Sequence, residues 1–113
     1  MREIQRDQLK AKLDRKESLK LVMVMSKGAF DSLHIPGSIY FASVTEALNT
    51  LKTDDEIVVY CTGKPCLNSY RAYLFLENRG YHKIYYYAGG LPDWEAAGYP
   101  LEGTMARNSG GAA

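Results

Sequence analysis

Cysteine is scarce in this 113-residue chain, which has two, Cys61 and Cys66. Two cysteines cannot staple a secreted scaffold, and with only His34 and His82 to add they do not make a convincing zinc site, so no metal is expected. No apolar run approaches the roughly 20 residues that a membrane-spanning helix needs. Charge of one sign is also lacking: 14 Lys and Arg face 13 Asp and Glu, a net +1. That balance gives no general case for nucleic acid or an anionic membrane surface as partner. The opening Met1–Asp7 is charged and has no apolar stretch of the kind an export signal carries, so none is legible. No repeat of 20–50 residues is present either. What remains is 46% apolar and 24% charged, the balance of one globular domain.

The chain alternates between two hydrophobic periods. Residues 4–16 carry Ile4, Leu9 and Leu13 among charges, which predicts a short amphipathic helix. Leu19–Met25 is almost continuously apolar, the pattern of a strand covered on both faces. Ser38–Phe41 reads as a shorter strand after the Pro36-Gly37 turn. Ser43 or Thr45 can cap a helix through Ala47, Leu48 and Leu51, closed by Thr53-Asp54-Asp55. Ile57–Tyr60 is the plainest strand of the chain. After the loop 61–67, a helix is expected over 69–79, capped by Asn68 or Ser69 and stopped at Gly80. Lys83–Tyr87 reads as a strand and Asp93–Ala97 as a last short helix. Strands alternating with helices predict a parallel sheet with helices on both faces, joined by right-handed crossovers. The domain is expected over 1–103, followed by a small-residue flexible tail over 104–113.

In such a sheet, ligands bind beyond the carboxyl ends of the strands. Cys61 stands one residue past the strand 57–60 and opens the loop Thr62-Gly63-Lys64-Pro65-Cys66-Leu67. The first N–H groups of the following helix lack internal partners, and its dipole adds roughly half a positive charge there. A loop curled over that point aims further N–H donors inward, a nest that holds anions. Helix N-termini can lower a cysteine pKa from about 8.5 into the range ~3.5–7.5, so a thiol there is favoured as thiolate. From Cys61 to Lys83 the chain carries Lys64, Arg71, Arg79 and Lys83 against Glu77 alone. The expectation is a nucleophilic Cys61 in an anion-receptive cup. Against it stands an inert reading, since free cysteine is among the most buried residue types and usually packs as a small apolar side chain. A strand end before a Gly- and Pro-containing turn favours the nucleophile, and local spacing goes no further.

Three stretches resemble the rhodanese-like sulfurtransferase domains. His34-Ile35-Pro36-Gly37-Ser38-Ile39 is similar to that family's HIPGA[IV] turn, Val58-Val59-Tyr60-Cys61 to its active-site segment, and Gly89-Gly90-Leu91-Pro92-Asp93-Trp94 to its GGxxxW. With the charged N-terminal helix and Gly98-Tyr99-Pro100-Leu101, the resemblance spans about residues 3–102. It implies a small α/β domain with a central parallel sheet of about five strands. It also implies that Cys61 takes sulfane sulfur from a small anionic donor such as thiosulfate, becomes a persulfide, and passes the sulfur to a thiol, a protein acceptor or cyanide. By the same resemblance, Thr62, Gly63, Lys64, Pro65, Cys66 and Leu67 form the substrate-binding loop, and no cofactor is required. Donors of the oxyanion type are worth ~2.7–4 kcal/mol each where measured in a protease.

Three departures from the family pattern stand out. Its strand-end Asp-Val-Arg triplet reads Met23-Val24-Met25, so an acid and a base are replaced by thioethers. No arginine lies between Cys61 and Ser69, and the fifth place after Cys61 is Cys66. The loop is longer than the sulfurtransferase norm and nearer in length to the related phosphatase type. That type grips phosphate through an arginine at the sixth place after cysteine, here Leu67, so phosphate chemistry is not expected.

Cys66 carries two readings. It can resolve a Cys61 persulfide into a 61–66 disulfide, giving a redox module, or it can pack beneath the loop. A catalytically weak protein-binding domain is a third alternative for the chain. Keeping Cys61 reduced favours the cytoplasm. His34 is expected to fix its turn through a backbone hydrogen bond rather than to act as a base. Tyr85 and Tyr87 share one sheet face and Tyr86 the other, which predicts packing rather than a nucleic-acid stacking platform.

Overall fold

A computed structural model describes residues 2–15, 18–61 and 67–105. Its element order is α1 (Arg6–Asp14), β1 (Leu19–Met23), α2 (Lys27–Ser32), β2 (Ser38–Ile39), α3 (Val44–Thr50), β3 (Glu56–Tyr60), α4 (Leu67–Asn78), β4 (Ile84–Tyr86) and α5 (Gly90–Ala96). The four strands form one parallel sheet in the order β2-β1-β3-β4. Among the described residues the sheet has four full strands plus one isolated parallel bridge, against about five expected. Tyr86 N–H donates to the Arg2 carbonyl and Ile4 N–H to the Tyr86 carbonyl, so the N-terminal segment covers the open edge of β4. A covered edge cannot template pairing with another chain.

Side-chain alternation sorts the sheet into two apolar faces. Leu21, Met23, Val58, Tyr60 and Tyr87 point to one, where Leu9 of α1, Phe30 of α2 and Leu91 and Trp94 of α5 cover them. Val22, Ile57, Val59 and Ile84 point to the other, beneath Ala47 and Leu48 of α3 and Tyr73 and Leu76 of α4. Helices on both faces of a parallel sheet are what the sequence predicts. Tyr85 and Tyr87 do share one face and Tyr86 the other.

Several boundaries differ from expectation. Helix α4 starts at Leu67, so Asn68 and Ser69 lie within it rather than before it. Ser69 is fully buried, and its hydroxyl has a sulfur acceptor across the sheet edge, which replaces the capping role that its residue type suggested. Helix α5 begins at Gly90, three residues before the expected start, and Pro92 is tolerated in its first turn. Helix α2 was not anticipated. Ser26 caps it by accepting from Ala29 N–H, and only Ala29 and Phe30 pack inward, too short a pattern for helical periodicity to register. Ser43, by contrast, caps α3 as expected, accepting from Glu46 N–H.

Residues beyond α5 return to the rim of α2. His34 and Glu102 exchange backbone hydrogen bonds, and Thr104 and Met105 N–H donate to the carbonyls of Asp31 and Ser32. The rest of the expected tail, 106–113, lies outside the described residues. Gly103 makes the return possible: its φ is +124°, and an added Cβ would sit 2.5 Å from the Ser32 carbonyl oxygen. Gly103→Ala is therefore expected to cost about 1–3 kcal/mol, read as a lower urea midpoint with an unchanged m-value.

Candidate active site

All three sequence motifs meet around the end of β3. Tyr60, its last residue, is wholly buried, and its hydroxyl accepts from Ile35 N–H at 3.0 Å and lies 2.6 Å from Ser38 Oγ. The turn His34–Ser38 is thereby bolted to the residue that precedes Cys61. His34 holds the far side of that turn. Its Nδ1 lies 2.7 Å from the Phe30 carbonyl, its ring stacks on Phe30 at 4.1 Å, and its Nε2 stands 3.4 Å from Glu102 Oε1. The expected fastening role of His34 matches this geometry.

From the other side, Leu91 N–H at the start of α5 donates to the Cys61 carbonyl at 3.1 Å. Trp94 anchors that helix, fully buried, with Nε1–H donating to the Pro100 carbonyl at 2.8 Å. Its ring meets Tyr87 and Tyr99 edge-on, at centroid separations of 6.2 and 4.9 Å. Tyr87 in turn donates to Asp93 Oδ2 at 2.7 Å. Burial and the Asp93 carboxylate together push the Tyr87 phenol far above its ordinary range.

Cys61 is 2% exposed. Val24 N–H donates to the Tyr60 carbonyl at 2.8 Å, which continues the β1–β3 ladder and sets Val24 laterally beside Cys61. Alternation along 57, 59 and 61 turns the cysteine side chain toward the face covered by α3 and α4. There the Ser69 hydroxyl donates to Cys61 Sγ at 3.8 Å, between two buried groups. This contact was missed at the sequence level, where Ser69 read as a helix opener. Cys61 is in its disulfide-bonded state, and the sulfur joined to it lies outside the described residues.

The expected loop residues Thr62, Gly63, Lys64, Pro65 and Cys66 lie outside the described residues, as does the side chain of Leu67, whose backbone opens α4. Among the described residues no three His, Cys, Asp or Glu side chains stand together to hold a metal ion, and no helix is long and apolar enough to cross a membrane.

Tyr60 supplies a measurable pH signature. Burial pushes its phenol up to about 12, against opposing hydrogen bonds from Ser38 and Ile35. An unfolded tyrosine titrates near ~10. Between these values the unfolded chain loses the proton while the folded chain keeps it, so stability is whole below pH 10 and drains away as pH rises toward 12. Two units correspond to about 2.7 kcal/mol. Tyr60→Phe leaves the Ile35 N–H without its acceptor and is expected to cost about 1–3 kcal/mol at pH 7. Its deficit against the parent protein should shrink or vanish between pH 10 and 12 in urea titrations; a deficit constant across that window would contradict the assignment.

A family model described as a rhodanese-like domain matches residues 5–97. Among curated proteins, the chain is 30% identical to the "Putative sulfur carrier protein YrkF" of Bacillus subtilis, over 81% of this chain and 50% of that one. It is 35% identical to the mitochondrial thiosulfate/3-mercaptopyruvate sulfurtransferase 1 of Arabidopsis thaliana, over 60% of this chain and 17% of that one. The chain thus spans half or less of the length of these relatives. Among solved structures, the rhodanese-like domain of the Alr3790 protein from Anabaena superposes with a TM-score of 0.83 at 25% identity, covering 100% of this chain and 88% of that one.

Proposed function

This chain belongs to the rhodanese-like domain family, and from that premise we propose that it is a sulfurtransferase or sulfur carrier working through a persulfide on Cys61. One observation carries the reading: the end of β3, the buried hydroxyl of α4 and the first turn of α5 all meet at Cys61. Once reduced, the Cys61 thiolate attacks the outer sulfur of an anionic donor such as thiosulfate. The donor's S–S bond breaks, its electron pair leaves on sulfite, and Cys61 carries the transferred sulfur as a persulfide. An acceptor thiolate or cyanide then attacks that outer sulfur and returns Cys61 as thiolate. Thr62, Gly63, Lys64, Cys66 and Leu67 would supply the backbone N–H groups that hold the negative charge through both steps. Reducing surroundings such as the cytoplasm suit this cycle.

A single-turnover assay tests it. Reduced protein treated with thiosulfate, freed of excess donor and then mixed with cyanide should release about one thiocyanate per chain. No release with thiosulfate or with a persulfide donor would overturn the reading.

The disulfide-bonded state of Cys61 favours a second reading, a redox module. The Cys66 thiolate attacks the inner sulfur of the Cys61 persulfide, hydrosulfide leaves, and an external dithiol reopens the 61–66 disulfide. Thiol counting after mild oxidation checks this: two thiols must disappear together within one monomer.

A further inference from the structure

Beside Cys61 lies a cleft of about 460 Å³ between α3 and α4, within the size range of small-molecule sites. Val24, Phe41, Val44 and Phe75 line it together with Met25 just past the end of β1, and Arg71 is the one charged residue among the described lining. Its floor is Val22 and Val59, on the same sheet face toward which Cys61 turns. Val24 stands next to Cys61 in the ladder, and the helix that bears Arg71 and Phe75 also bears Ser69, whose hydroxyl touches the Cys61 sulfur. The cleft therefore shares Val24 and α4 with the surroundings of the Cys61 sulfur, and a cation stands on its wall.

We propose that this cleft binds the apolar body of an organic thiol that takes sulfur from Cys61, the thiol entering as an anion. The proposal rests on the persulfide reading of Cys61. The lining excludes a purely hydrophilic acceptor as its natural occupant, because no polar partner other than Ser43 and Arg71 is offered along the described walls. Arg71 complements the charge of a thiolate, and the aliphatic and aromatic walls complement an alkyl or aryl group. In the step itself the acceptor thiolate attacks the outer sulfur of the Cys61 persulfide. A new S–S bond forms on the acceptor, the old one breaks, and its electron pair returns to Cys61.

The experiment compares benzyl mercaptan with 2-mercaptoethanol as acceptors for the sulfur-loaded protein, each rate normalised to the same thiol acting on a free cysteine persulfide. A single methylene in an apolar pocket is worth ~10–200-fold, so the benzyl thiol should be favoured by at least about tenfold. Val44→Asp tests the wall. Val44 is 57% exposed and opens α3, where an acidic residue suits the helix dipole, so the variant keeps its fold. It should remove most of the benzyl advantage. Equal normalised rates, or a Val44→Asp variant that slows both thiols alike, would overturn the proposal. Benzyl methyl ether, which cannot accept sulfur, separates the cleft from the chemistry: it should shift the amide resonances of Val24, Val44 and Phe75. Such shifts in a protein that Cys61 chemistry fails to load would uphold the cleft and remove the sulfurtransferase reading. Shifts elsewhere, or none, would remove the cleft.

Discussion

Cys61→Ser is expected to reduce sulfane-sulfur transfer to the uncatalysed background while leaving the fold intact. The hydroxyl that replaces the thiol is not ionised near neutrality and forms no persulfide, so the step has no acceptor atom. Loss of a protease nucleophile costs on the order of 10⁶ in kcat, and a loss of that character, rather than a partial one, follows from a covalent role. The substitution is close to isosteric, and the hydroxyl of Ser69 remains a partner for the new oxygen. Far-UV circular dichroism and the urea midpoint should therefore change little from those of the reduced parent protein. Cys66→Ser separates the two proposed cycles. Under the transferase reading it leaves single-turnover loading unchanged; under the redox reading it makes the Cys61 persulfide accumulate, because no second thiol discharges it. A Cys61→Ser variant that still loads and releases sulfur would place the chemistry elsewhere.

Trp94→Ala is expected to carry the largest stability cost in the chain. Deleting a fully buried tryptophan typically costs about 3–5 kcal/mol. Here it would also remove the donor to the Pro100 carbonyl and the edge-on contacts with Tyr87 and Tyr99. Small domains are stable by about 5–15 kcal/mol in all, so much of that margin would go. The effect would reach the site as well, because α5 carries the Leu91 N–H that holds the Cys61 carbonyl. Urea unfolding of the variant followed by tyrosine fluorescence reads the loss directly. A cost below about 1.5 kcal/mol would mean that α5 is not the clamp described.

Much of this arrangement was legible in the residues alone. Ile57–Tyr60 predicts a buried strand because apolar β-branched residues sit between acidic and Thr-Gly punctuation, and β3 is found there. The three tyrosines 85–87 reveal their facing through strand alternation alone. What escaped was set by tertiary contacts. Ser69 has the residue type of a cap, yet it lies inside α4 and bonds toward sulfur, a role decided by which strand end faces it. Helix α2 shows too few inward residues for its period to register. The edge bridge at Glu3 depends on where the N-terminus runs after folding, which no local pattern encodes. The cleft beside Cys61 was likewise invisible, since its walls come from α3, α4 and the end of β1, distant in sequence. Only the replacement of charges by Met23 and Met25 hinted that this corner is apolar.

The measurement that bears most directly on the central claim is peptide mass mapping of the fully reduced protein after exposure to a sulfane-sulfur donor. The account predicts a gain of one sulfur on the peptide containing Cys61, reversed by cyanide and absent in Cys61→Ser. A gain confined to Cys66, or none anywhere in a protein whose Cys61 is demonstrably reduced, would contradict it.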